Sequence, residues 1–256
     1  RQDIELIREV GANSIRLAHY QHAQYFYDLC DEAGVVVWAE IPLISRFMPG
    51  EEAHDDTISQ MRELILQCGN HPSICFWGIS NEITMKGESE ALLQNLNDLQ
   101  ELCHAMDPTR LTTMAQIGAV SLNSPTNTIT DVLAYNIYLG WYVGKTEDCA
   151  DWLDERKHAQ PQRALALSEY GADANYEIHS DQPKRKDYSE EYQCLYHEGM
   201  LQIIEERPWL WGTYAWNMFE FAADKRNEGG TKGQNTKGFV SYDRTVKKDV
   251  FYLYKA

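Results

Sequence analysis

The sequence predicts an α/β protein of the TIM-type (β/α)8 barrel class, and three observations predict it. Short apolar runs with strand character alternate with amphipathic helical stretches in one repeated pattern, which implies a parallel sheet flanked by helices. Two of the runs end in a glutamate, residues 74–80 through the polar pair Asn81-Glu82 and residues 164–168 directly in Glu169, at the strand ends where barrel enzymes place their reactive groups. No shift in composition marks a second domain within the 256 residues, a length that one large domain with a sizeable core accommodates. Periodicity alone leaves open whether the sheet closes into a barrel.

Taken in order, Asp3 is positioned to cap a first helix carrying Ile4, Ile7 and Val10, which stops at Gly11. Residues 14–18 read as a strand followed by His19, and the next helix sets Tyr25, Phe26, Leu29, Cys30 and Ala33 on one face before Gly34. A strand over 35–39 closes on Glu40 and is stopped by Pro42. Ile58, Met61, Leu64, Ile65 and Cys68 mark a helix that Gly69 terminates. The aromatic-rich run 74–80 is the third strand. A long helix then runs from Ser89 through Leu92, Leu96, Leu99 and Cys103 to the break at Asp107-Pro108. Strands follow at 111–115 and 132–138, then a helix over 148–159 and the strand that ends at Glu169. A charged loop over 175–187 precedes a helix carrying Tyr192, Leu195, Tyr196, Ile203 and Ile204, stopped by Pro208. Residues 210–217 form the last strand, 225–238 a polar Gly-rich loop, and 250–254 a final helix. That makes seven strands where a barrel needs eight. Because the chain opens on a helix, the first strand is expected to be missing.

Composition removes several classes. With 39 acidic against 23 basic residues the formal charge is −16, which argues against a nucleic-acid partner. Hydrophobic residues make up 43%, so disorder is not expected, and no apolar run approaches the roughly 20 residues of a membrane span. The six cysteines form no C-x-x-C pair. They are expected as small buried hydrophobes rather than as a zinc site or a disulfide framework. Reduced thiols favour a cytoplasmic location, with a leader upstream of Arg1 left open.

A buried strand has no packing need for a carboxylate at its tip, and charges are rarely buried unpaired. On the residues alone, Glu82 and Glu169 are either a pair of reactive carboxyls or strand-end glutamates tied to nearby arginine or lysine. Two acids at two strand ends are what a two-carboxylate glycosidase requires.

The motifs narrow this. N-H-P-S (residues 70–73) before a strand that ends in S-N-E (80–82) and A-L-S-E-Y-G (166–171) resembles glycoside hydrolase family two. So do S-I-R-L-A-H-Y (14–20), A-Y-N-I-Y-L-G-W-Y (134–142), W-G-T-Y-A-W-N-M-F-E-F (211–221) and K-G-F-V-S-Y-D-R (237–244). The set covers nearly the whole chain in order. It is similar to the catalytic barrel of the family's β-galactosidases, so residues 1–256 are expected to be a single catalytic domain, a fragment of a larger enzyme with β-sandwich domains and a possible homo-oligomer. The resemblance implies Glu82 as general acid/base and Glu169 as nucleophile of a retaining exo-glycosidase acting on terminal β-galactosides. Retaining enzymes hold two carboxyls about 5 Å apart, and the ionised neighbour keeps the acid protonated.

It further implies Tyr138 as the hydrogen-bond partner of the nucleophile, and Asn81 as a donor to the sugar 2-hydroxyl. Trp216 would be an apolar platform for the sugar, His19 a contact to its hydroxyls, and Arg16 a partner for a catalytic carboxylate. Asn235 and Lys237 resemble the asparagine-x-lysine element that grips the sugar carboxylate in the family's β-glucuronidases, and that activity is the alternative reading. Glu40 is followed by Ile41-Pro42-Leu43, without the histidine found at a magnesium site of some relatives, so no metal is expected; the chemistry needs no cofactor. An inactive sugar-binding or assembly domain is the alternative of another class.

Overall fold

The computed structural model describes residues 1–255. They group into two compact units, one built from residues 1–4, 12–136 and 162–168, the other from 5–11, 137–161 and 169–255.

In the first unit, strands β1 (Ser14–Leu17), β2 (Val36–Glu40), β3 (Ile74–Asn81), β4 (Leu111–Ile117) and β5 (Leu133–Asn136) lie side by side in sequence order. From β1 to β5 each strand pairs in parallel with the next, with Arg16 opposite Trp38 and Asn81 opposite Ala115. Parallel neighbours need a crossover. Three are the helices α2 (Gln24–Ala33), α3 (Glu51–Cys68) and α4 (Glu90–Met106). Each boundary has a local cause. Gly34 caps α2 in the left-handed region at φ 67°. Glu51 and Glu52 face the positive end of α3. Ser89 caps α4, its hydroxyl accepting from the Leu92 amide at 3.2 Å. The core holds Trp38, Trp77, Met61, Leu64, Leu96 and Leu99, all fully buried. The indole of Trp77 is satisfied by Asp107 at 3.0 Å, and Arg110 pins the same carboxylate at 2.6 Å. Asp107 is thereby held at about 2, burial being outweighed by Thr109 and Arg110.

Strand β6 (Leu165–Tyr170) begins in the first unit and ends in the second, where β7 (Leu210–Ala215) follows it in the sheet order. The second unit also holds α5 (Asp148–Ala159), α6 (Glu190–Glu205) and α7 (Asp249–Lys255). Ser189 caps α6 through the Tyr192 amide at 3.1 Å, and Glu190 and Glu191 fill its first turn. The helix α1 (Gln2–Glu9) opens the chain as expected. All six cysteines are free. Burial pushes the thiols of Cys30, Cys103 and Cys149 up to about 12, so they behave as apolar side chains. No described helix is long and apolar enough to cross a membrane.

The stretch expected as a loop over 225–238 is instead a hairpin. Strands β8 (Phe221–Glu228) and β9 (Thr231–Asn235) pair antiparallel, with Glu228 opposite Thr231. The two linking residues, Gly229 and Gly230, sit at φ 57° and 80°, the positive values that a tight two-residue hairpin turn needs. The charged, half-exposed strands carry no apolar alternation, which is why periodicity missed them. The Gly-Gly pair was the available signal. A smaller difference is β5, which stops at Asn136 and leaves Tyr138 on the loop beyond it.

Candidate active site

In the first unit, the ends of four strands bring polar side chains together. Arg16 on β1 grips Glu40 at the end of β2 with both arms, Nε to Oε2 at 3.0 Å and Nη2 to Oε1 at 2.8 Å. Both side chains are buried, 2% and 1% exposed. Burial alone would raise the Glu40 carboxyl, but the Arg16 charge, with His19, holds it below its ordinary value. His19 brings Nδ1 within 3.1 Å of Glu40 Oε1. The same Arg16 Nη2 donates to Asn81 Oδ1 at 2.9 Å, and Asn136 Nδ2 donates to that oxygen at 3.1 Å. With its oxygen fixed by two donors, Asn81 turns its NH2 group the other way. Gly78 lies in β3 beside this pair; a Cβ there would meet Trp38 Nε1 at 2.2 Å and Glu40 Cβ at 2.5 Å.

Glu82 follows β3 with φ at 49°, a left-handed backbone that costs a non-glycine residue of order 1–2 kcal/mol. Its amide is held by the Ala115 carbonyl at 2.7 Å, and its Oε1 accepts from Asn136 Nδ2 at 3.1 Å.

In the second unit, Glu169 sits near the end of β6 and is 5% exposed. Tyr138 donates its hydroxyl to Glu169 Oε2 at 2.7 Å. Burial, and then the Glu169 charge, push the Tyr138 phenol well above its ordinary value, so it remains a donor. Gly171 is required by the backbone of Trp216, whose carbonyl would lie 2.1 Å from a Cβ at this position. Trp216 itself follows β7 and packs edge-on against Phe221 at 5.8 Å.

Lys237 is buried and makes an ion pair with Asp173, four residues beyond Glu169. Its Nζ also donates to Tyr142 at 2.8 Å and lies 5.8 Å from the ring centre of Tyr138. Burial raises Asp173, yet the Lys237 charge outweighs it and leaves the carboxyl lowered. Asp173 further accepts from Trp141 at 2.8 Å and from the Thr236 hydroxyl at 3.0 Å. Asn235 accepts from the Lys237 amide at 3.1 Å, which shapes the turn after β9. Arg226 on β8 reaches Tyr142 at 3.4 Å and pairs with Glu228 at 2.9 Å. Lys186 stands 4.5 Å from the same Tyr142 ring centre.

The structure thus joins Arg16, His19 and Asn81 in one network, with Glu82 linked to Asn81 through Asn136. It joins Tyr138 to Glu169, and groups Asn235 with Lys237. Three partners escaped the sequence reading. Glu40 closes the strand expected over 35–39, and that position was the signal; Asn136 fell inside the strand expected over 132–138, and only the structure ends β5 there. Asp173 had none beyond its nearness to Glu169. As for metal ligands, Asp28, Asp31 and His71 present atoms within 4.8 Å of one another. His71 and Asp31 already bond at 2.6 Å, and Asp31 also accepts the Ser73 amide.

Parallel strands alternating with helices are the scaffold of a barrel hydrolase, and the chain belongs to the glycosyl hydrolases family 2, whose TIM barrel domain it matches over residues 1–256. Among individual proteins it is 42% identical, over its whole length, to a β-glucuronidase of Bacteroides fragilis. It also resembles the crystal structure of an FMN-binding β-glucuronidase from Facaelibacterium prausnitzii L2-6, with 54% identity, a TM-score of 0.98 and 99% of this chain covered. A β-galactosidase described as putative, from Bacteroides fragilis, superposes with 35% identity and a TM-score of 0.92, again over 99% of this chain. The chain spans about two fifths of the length of these proteins: 38%, 40% and 38%.

Proposed function

We propose that the chain supplies the catalytic domain of a retaining β-glucuronidase, in which Glu169 attacks the anomeric carbon and Glu82 protonates the leaving oxygen. This prefers the acidic sugar over the β-galactoside that the motifs first suggest. The observation that carries the preference is the charge around Tyr142. Lys237, Arg226 and Lys186 approach its ring or hydroxyl, while the carboxylates paired with them are two, Asp173 and Glu228. Three cations against two anions leave one positive charge over, and a sugar carboxylate suits that surplus. The names of the relatives agree with it.

In the first step Glu169, oriented by Tyr138, forms the glycosyl ester as Glu82 gives its proton to the departing alcohol. In the second, water takes the sugar from Glu169 while Glu82 receives the proton back. Asn81 donates to the sugar 2-hydroxyl, with Arg16 and Glu40 holding its orientation. His19 contacts the sugar hydroxyls, and Trp216 offers an apolar face to the ring. Asn235 and Lys237 bind the 6-carboxylate.

Hydrolysis of p-nitrophenyl β-glucuronide and of p-nitrophenyl β-galactoside, compared side by side, tests the choice. A kcat/KM at least tenfold higher on the glucuronide is expected. A preference for the galactoside would return the assignment to the neutral sugar, and no turnover of either would remove the hydrolase reading.

A further inference from the structure

Asn136 ends β5 and is 3% exposed. Its side chain has two N–H donors and one carbonyl acceptor, and all three are engaged. Nδ2 donates to Asn81 Oδ1 and to Glu82 Oε1, each at 3.1 Å. Oδ1 accepts the hydroxyl of Ser168 at 2.7 Å. The orientation of the amide follows from its neighbours. Asn81 Oδ1 already accepts from Arg16, so only the NH2 side of Asn136 can face it. Ser168 must then give its proton to the other side. Its own backbone carbonyl lies 3.4 Å from Arg16 Nη1, and the next residue in the chain is Glu169.

An N–H pointed at one oxygen of a carboxyl decides where that carboxyl keeps its proton. Two hydrogens cannot share the Asn136–Glu82 line, so in protonated Glu82 the hydrogen resides on Oε2 and Oε1 remains the acceptor. We propose that Asn136 is a positioning residue for the acid/base: it fixes the Glu82 carboxyl and confines its proton to Oε2, and Ser168 locks the amide that does so. The role deepens the reading of Glu82 as general acid and rests on it. When Glu82 is ionised in the second step, the same N–H steadies the anion, so one contact serves both halves of the reaction. The relay also explains a serine directly before Glu169: one hydroxyl ties the strand bearing the nucleophile to the amide that orders the acid.

The test measures kcat/KM of the full chain and of Asn136→Ala, Ser168→Ala and Glu82→Gln on a series of aryl β-glucuronides with increasingly poor leaving groups (the galactosides, if those are turned over faster). A misplaced acid costs most where the leaving oxygen most needs a proton. Asn136→Ala is expected to lose at least tenfold with unsubstituted phenyl and less than twofold with dinitrophenyl as leaving group. Ser168→Ala should show the same trend with a smaller loss, and it carries the test if Asn136→Ala does not fold. Equal losses across the series, or none in either variant, would overturn the positioning role while the slope of Glu82→Gln left the acid assignment standing. A Glu82→Gln enzyme that is no slower on the poor leaving groups would overturn both.

Discussion

Replacing Arg16 by methionine removes a guanidinium from a buried carboxylate. Methionine keeps most of the apolar stem, and what disappears is charge and donors, among them two hydrogen bonds to Glu40, one to Asn81, one to the Ser168 carbonyl and the contact to His19 Nδ1. Glu40, 1% exposed, cannot turn to water, and His19 stays beside it. Removing one member of a buried pair costs about 3–5 kcal/mol. For a chain of this size each kcal/mol moves the melting temperature by about 2–4 °C, so a fall of roughly 6–20 °C is expected at neutral pH. The pH dependence gives the sign. In the wild type Glu40 lies below its ordinary 4.5, so its stabilisation is present above pH 4.5 and is lost as pH falls through the lowered folded value. In Arg16→Met, burial acts without the arginine and raises that carboxyl above 4.5. The gap between the two proteins therefore widens as pH rises from the lowered wild-type value through the raised value of the variant, and closes in acid. The second substitution, Glu40→Gln, relieves the stranded charge, so Arg16→Met/Glu40→Gln should be more stable than Arg16→Met alone. Thermal melts at pH 4 and pH 7 check all three statements. A loss under about 1 kcal/mol, a gap indifferent to pH, or a double variant no better than the single one would show that the pair is not the buried, mutually dependent unit described here.

Other expectations follow from the proposed chemistry and from packing. Glu82→Gln should keep the fold and slow substrates with poor leaving groups by about 10²–10⁴-fold; an unchanged steady-state rate on them excludes it as the acid. Glu169→Gly should be inactive, and azide should restore turnover and yield a glycosyl azide of inverted configuration, identified by NMR; a retained product counts against the covalent route. Lys237→Gln should lower the glucuronide-to-galactoside ratio of kcat/KM at least tenfold, and an unchanged ratio would take the sugar carboxylate away from this lysine. Gly171→Ala sets a Cβ 2.1 Å from the Trp216 carbonyl; since backbone has to move, calorimetry should find a large loss of stability, and a wild-type melt would contradict the contact.

The sequence by itself determined the alternating elements and their ends, because the signals are local. Gly34 adopts the left-handed cap it was expected to supply, Ser89 caps α4, and the helix over 148–159 has the limits its pattern gave. Strand-end position also singled out Glu82 and Glu169, since a carboxylate at the tip of an apolar run is anomalous without any partner in view. Only the tertiary structure decided what those residues touch. Arg16 turned out to hold Glu40 and Asn81, residues 24 and 65 positions away. Lys237 is bound to Asp173, 64 positions earlier. Asn136 looked like an ordinary strand residue until Glu82, 54 positions distant, was seen on its amide. A hydrogen bond is directional and short, so its partner depends on where separate strands end in space. Periodicity, which reports which face of one element is buried, carries no information about that distance.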